Sequence, residues 1–286
     1  MSTTVRASSA SRAPARNPVC GASESARRRF LERERVPLFV ADWERALFVH
    51  FAVPLAALQP HVPFALDERD GEAHVSLVAF TMRRLRFARG GRLGEWICRP
   101  AANLRLLNLR TYVVHEGEPG IHFIAEWINS WTQTQLGPPL YSLPYRWGEL
   151  EYHHEPDHGV MHGRVTDRKM RSALEYVARL EIGGAGTEPL WQPCAPGSLD
   201  DFLLERYTAF NGRPDGGHRF RIRHEPWPQC PADVHVTDQG LLARGFPWWQ
   251  HARLVGANFS PAVRDVWMGY PRSMTAAMTT AGPFLN

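Results

Sequence analysis

The chain is 286 residues long, 44% hydrophobic and 22% charged, with a formal net charge of +4 at pH 7. That balance excludes a disordered or fibrous chain, and no run of about eighteen apolar residues is present to cross a membrane as a helix. The positive charge comes from thirty-two arginines and a single lysine, Lys169. It is scattered among acids with no basic arm, so neither a nucleic-acid nor a membrane partner is expected.

Residues 1–23 hold Ser, Ala, Arg and Pro and no acid, too little apolar surface to pack, and are expected to be a disordered tail. Without an apolar signal segment the expected location is cytoplasmic. There Cys20, Cys98, Cys194 and Cys230, which form no C-x-x-C pair, are expected to stay reduced. A charged helical lead-in covers Ser23–Arg35, strand patterning starts near Arg45, and Pro54–Leu58 reads as one helical turn opened by proline. Asp70-Gly71 is a turn signal ahead of a long strand over Ala73–Phe87.

A hairpin is predicted from Asn103–His115 and Ile121–Ile128 around a 116–120 loop. Another joins Arg146–Glu155 to Val160–Arg168 through Pro156-Asp157-His158-Gly159. A strand over Ala173–Ile182 ends at Gly183-Gly184-Ala185-Gly186. Ser198–Phe210 is the clearest predicted helix, with Asp201 three residues after the capping Ser198. Further strands are expected at Arg219–His224, Asp233–Val236 and Arg264–Met268. This order is antiparallel β with few helices, and its natural solution is a closed or half-closed sheet flanked by helices. The expected division is a tail over 1–35, a single β domain over 36–272 and a C-terminal tail over 273–286.

If His115 faces Ile121, pairing carried outward sets Arg110 opposite Glu126 on one face of the hairpin, within cross-strand reach. An arginine fixed in this way suits a carboxylate ligand, with the glutamate orienting it; the plain alternative is a cross-strand ion pair. Tyr145 and Arg146 follow Pro144 at a strand start, and adjacent strand residues point to opposite faces, so only one of them can enter a cavity. Tyr145 is favoured there.

Lys169, flanked by Arg168 and Arg171, reads as a surface residue of a polar loop. His154, His158 and His162 are spaced like helical metal ligands, but Pro156 and Gly159 argue against a helix. The hairpin register instead sets His153 against His162 and Glu151 against Arg164, so no metal and no cofactor is expected. His224 and His251 are isolated acid–base candidates. The chain contains no G-x-S-x-G elbow, phosphate-binding glycine loop or dinucleotide fingerprint.

Several segments together resemble one family. They include Phe48-Val49-His50-Phe51, Asn108-Leu109-Arg110-Thr111-Tyr112, Leu143-Pro144-Tyr145, Phe202-Leu203-Leu204-Glu205-Arg206-Tyr207 and His224-Glu225-Pro226-Trp227. Over about residues 42–270 the chain is similar to the YqjF-like proteins of unknown function, grouped with the acetoacetate decarboxylase-like superfamily. The resemblance implies an α+β fold, mainly antiparallel β, a double-layered β-barrel or sandwich with flanking helices around a polar cavity.

It does not imply decarboxylation, because the family's catalytic lysine pair is replaced here by Tyr145 and Arg146. An arginine stays protonated and forms no imine. The site expected on these grounds has Glu126 and Tyr145 as catalytic candidates and Arg110, Arg146 and His224 as ligand-binding candidates. Two readings stand: an enzyme acting on a small oxo-acid or carboxylate without an imine, and a binding protein that performs no chemistry.

Overall fold

The computed structural model describes residues 18–99, 102–155, 160–180 and 189–274. The expected 156–159 loop with His158, the glycine run at 183–186, residues 1–17 and most of the C-terminal tail lie outside them. The lead-in is a helix, α1 (Pro18–Glu34). Its fully buried Phe30 meets Trp267 edge-on at 5.6 Å. Four long strands follow, β1 (Phe39–Pro54), β3 (Glu72–Phe87), β4 (Asn103–His115) and β5 (Glu118–Ile128), with the short helix α2 (Leu55–Leu58) and strand β2 (Ala65–Leu66) between the first two. Their β-branched and aromatic content suits a pleated surface buried on both sides.

Two tight turns punctuate these strands, one ahead of β3 and one that sets the β4–β5 register. Asp70 and Gly71 have φ of 55° and 78°, and Glu116 and Gly117 have 53° and 74°. Two consecutive left-handed residues are the geometry of a two-residue hairpin loop, whose twist matches the strands it joins. The second turn is therefore shorter than the five-residue loop expected at 116–120, and His115 faces Glu118 rather than Ile121.

Helices α3 (Gly91–Cys98) and α4 (Trp131–Tyr141) occupy segments with no helical expectation. Strands β6 (Tyr145–Trp147), β7 (Glu149–His153), β8 (Val160–Asp167) and β9 (Ser172–Leu180) follow, with His153 opposite His162 and Glu151 opposite Arg164 as the hairpin pattern predicts. The predicted Ser198–Phe210 helix is much shorter. α5 spans Leu199–Leu204, capped by the Ser198 side chain, which accepts from Asp201 N at 3.1 Å. It stops because Thr208–Asn211 forms β10, pairing with β5 and with β11 (His218–Arg223). Sheet pairing outweighs the helical periodicity of one short segment. β12 (Cys230–Asp238), α6 (Gly240–Gly245), β13 (Arg253–Met268) and β14 (Arg272–Ser273) complete the order.

The strands run β11-β10-β5-β4-β3-β1-β13, and a further β11–β13 pairing closes this path into a ring. β12, β9, β8 and β7 continue outward from β13. They fold over the outer face of β1, β3, β4 and β5, enclosing a core that includes Leu107, Trp127, Val165 and Leu174. The ring's interior holds a second cluster, with Phe48, Val78, Tyr112, Ile121, Phe220 and Trp227. Long antiparallel strands thus bury both faces in two different cores, which gives a double-layered α+β architecture.

Candidate functional site

A cavity of about 90 Å³ opens inside the ring, its mainly apolar walls interrupted by a few polar side chains. Asn108 and Arg110, two apart on β4, both line it, as alternation on a strand requires. Glu126 reaches it by a different route. On β5, Ala125 faces Leu109 and Phe123 faces Arg110, so Ile124 is an extra, unopposed residue. This bulge inverts the alternation. Ile121 and Phe123 point inward before it, Ala125 and Trp127 pack in the outer core after it, and Glu126 is turned into the cavity.

The expected Arg110–Glu126 opposition is therefore incorrect. Glu126 faces Asn108; the two charged groups share a cavity without being cross-strand partners. Tyr145 on β6 lies beside Glu126 in a parallel pairing and lines the cavity too. Arg146, the other ligand-binding candidate at this point, turns to the opposite face. Its guanidinium lies 5.3 Å from the Trp127 ring and 5.5 Å from that of Phe246, with Nη1 donating to Met170 Sδ at 3.4 Å. Successive strand residues cannot both face inward, and Tyr145 holds the inward position.

Three buried polar atoms without a hydrogen-bond partner gather here: Asn108 Oδ1, Arg110 Nε and Glu126 Oε2. Such atoms cost about 1–3 kcal/mol each when left unmet. Glu126 is 3% exposed, and burial raises its carboxyl pKa to about 8 with no cation offsetting it. It is thus mainly protonated at neutral pH and able to donate. The Tyr145 hydroxyl is also pushed up, by burial first and then by Glu126; it remains a neutral donor.

Arg110 is 8% exposed and donates through Nη2 to Leu203 O at 2.9 Å. Among the described residues no carboxylate lies within ion-pair distance of it. Arg206, which also lines the cavity, is by contrast neutralised by Asp67 at 2.7 Å and held by Phe202 O at 2.7 Å. Arg110 is the cation left for a ligand. Beside it, His224 donates from Nδ1 to Glu225 O at 2.7 Å, which leaves Nε2 as an acceptor on the neutral ring. Burial lowers its pKa and the Arg110 charge contributes.

Sequence reasoning did not find Asn108, nor the role of α4. Gly137 of α4 rests on the Tyr145 ring, and a Cβ there would fall inside that ring's van der Waals envelope. Gly137→Ala is therefore expected to cost about 1–3 kcal/mol by overpacking, measured by urea denaturation. In a Tyr145→Ala background the penalty should vanish; its persistence there would mean that the clash lies elsewhere.

The other candidates lie apart. Lys169 is exposed in the turn between β8 and β9, and His251 is exposed. Ser76 Oγ contacts His50 Nδ1 at 2.7 Å, and His50 Nε2 contacts Asn258 Oδ1 at 3.1 Å. This hydroxyl–imidazole–amide chain has the connectivity of a nucleophile relay. Ser76 is nevertheless fully buried, contacts the Tyr112 hydroxyl at 2.6 Å and does not line the cavity, so the chain is structural. Among the described residues no three metal-ligating side chains gather at one point.

Comparison with known proteins identifies the lineage. Residues 40–263 match the DUF2071 family of uncharacterized conserved proteins. The chain belongs to that family. Within it, the chain is 27% identical over 205 residues to the uncharacterized protein YqjF of Bacillus subtilis strain 168, covering 68% of this chain and 76% of YqjF. Among solved structures it is similar to an acetoacetate decarboxylase-like enzyme from Sphingomonas wittichii RW1, with a TM-score of 0.60 at 12% identity over 84% of this chain and 94% of that one. It is also similar to the enduracididine biosynthesis enzyme MppR complexed with pyruvate, with a TM-score of 0.54 at 11% identity over 84% and 91%. At these identities the likeness is one of fold. This DUF2071 chain is YqjF-like and has the acetoacetate decarboxylase-like fold.

Proposed function

We propose that the ring cavity binds a small carboxylate of the oxo-acid class and acts on it without a covalent imine. The observation that carries this reading is the buried, acid-free Arg110 guanidinium in one cavity with two further unmet polar atoms, on Asn108 and Glu126. A buried cation without a counter-ion is costly, and a ligand carboxylate supplies the missing charge and a hydrogen-bond acceptor. The protonated Glu126 and the Tyr145 hydroxyl then stand at the other polar wall as donors to a carbonyl oxygen.

In a lyase- or isomerase-type step, a C–H bond α to that carbonyl breaks, its proton passes to the free Nε2 of neutral His224, and its electron pair forms a C=C bond as the carbonyl pair moves onto the oxygen. Glu126 delivers its proton there and recovers it when the carbonyl re-forms. Proton transfer of this kind contributes about 10²–10⁴-fold, and donors held in place for the developing oxyanion add electrostatic stabilisation. Imine chemistry is disfavoured because the chain's single lysine, Lys169, is in an exposed turn.

The second reading, a binding protein without turnover, is favoured by one observation. The Ser76–His50 pair lies outside the cavity, so no base-activated hydroxyl of that pair meets a ligand. Pyruvate in ²H₂O tests both readings by thermal shift and by NMR of its methyl protons. Pyruvate should raise the melting temperature, and the wild type should exchange the methyl protons while Glu126→Gln binds without exchange. Binding with no exchange by either protein selects the binding-protein reading. A borohydride-trapped pyruvate adduct on Lys169 would overturn the non-imine assignment.

A further inference from the structure

A second, larger cavity of about 440 Å³ adjoins the first. Met82, Leu143, Tyr145, Phe220 and Met268 line both, so the two adjoin across a shared wall that includes Tyr145. The second cavity is a vestibule under α3 and α4, with Ile97, Cys98, Leu104, Leu136 and Leu140 among its walls. Gln133 is the one wall residue with an amide side chain, and no wall residue is charged. Its exposed wall residues are apolar as well: Ile97 is 54% exposed, Leu136 62% and Leu140 41%.

The volumes decide what fits. Small-molecule sites enclose about 300–1,000 Å³. The inner cavity alone, at about 90 Å³, holds only a few heavy atoms beside Arg110, whereas the vestibule, at about 440 Å³, lies within that range by itself. The charged side chains line the inner cavity only, and the vestibule is mainly apolar with Gln133 and two tyrosines, so the paired cavities are amphiphilic.

Resting on the carboxylate reading above, we propose that the ligand is an amphiphilic 2-oxo acid. Its carboxylate meets Arg110, its oxo group passes Glu126 and Tyr145, and an unbranched apolar tail fills the vestibule beneath α3 and α4. The test is calorimetric titration with pyruvate, 2-oxobutanoate, 2-oxohexanoate and 2-oxooctanoate. Each added methylene buried in the vestibule should tighten binding about fourfold.

Leu140→Trp and Leu136→Trp fill the vestibule from partly exposed positions that leave the ring untouched. Each should weaken 2-oxooctanoate by about tenfold or more through lost tail burial and leave pyruvate unchanged. Arg110→Gln should weaken every member of the series alike. A flat series with Arg110-dependent pyruvate binding would overturn the tail assignment and leave the carboxylate reading standing. A rising series indifferent to Arg110→Gln would do the reverse. Failure of all four acids to bind would remove both.

Discussion

Arg110→Gln should lower the affinity for pyruvate about a hundredfold, while the unliganded variant melts at the same temperature as the wild type or above it. Truncating one partner of a desolvated charge pair in a complex costs about 2–5 kcal/mol, and about 2.7 kcal/mol is a factor of a hundred. The absence of a stability loss follows from the same burial. Among the described residues Arg110 Nε has no partner, and the guanidinium has a single hydrogen bond, to Leu203 O at 2.9 Å. A glutamine amide can keep that bond while removing an uncompensated charge.

Arg110 also contributes to the lowered pKa values of His50 and His224, so both histidines should titrate at higher pH in the variant, followed by NMR. Melting well below the wild type with pyruvate affinity unchanged would make Arg110 a structural residue and remove it from the site.

Glu126→Gln should make the protein more stable than the wild type above neutrality, by an amount that grows with pH. The Glu126 carboxyl titrates at about 8 in the fold against an ordinary value of 4.5, raised by burial. Between those values the folded state keeps a proton that the unfolded chain has released, so folding takes up a proton and stability falls as pH rises. The slope is about 1.4 kcal/mol per pH unit, and about 4–5 kcal/mol accumulates across the window.

Buried histidines act in the opposite sense at lower pH. Burial lowers His50 to about 3 and His154 to about 4, so stability is lost as pH falls from about 6.5 through those values. Wild type minus variant in urea denaturation at pH 5 and pH 8 isolates the glutamate contribution from theirs. Equal stability of the two proteins at pH 8 would mean that Glu126 is solvated or paired. The carboxylate ligand carries a further consequence. Above about pH 8 an ionised Glu126 repels it, so wild-type affinity for pyruvate should decline there while that of the variant stays level.

Much of the fold is written locally. The long, largely apolar strands β1, β3, β4 and β5, the Asp70-Gly71 turn, the Ser198 cap and the His153–His162 register all follow from apolar patterning and turn chemistry. Helices α3 and α4 were not legible. Gly91-Arg-Leu-Gly begins with glycines that disfavour a helix, and α4 carries Pro138 and Pro139 internally. Both helices exist because they roof an apolar vestibule against Phe87, Leu104 and Tyr145, a surface that no local window contains. The same limit shortened the 198–210 helix, whose second half was claimed by a sheet edge.

By itself the sequence determined the two-faced strands, the presence of one lysine and its placement in a polar turn, and the choice of Arg110, Glu126 and Tyr145 as candidates. Only the tertiary structure decided that these three share a cavity, that Arg146 does not, and that Asn108 rather than Arg110 faces Glu126. The deciding element is the Ile124 bulge. Strand alternation repeats every two residues, so one extra residue reverses every side chain beyond it. Whether β5 takes up that residue depends on how two paired strands fit within a closed ring, not on the residues around Ile124.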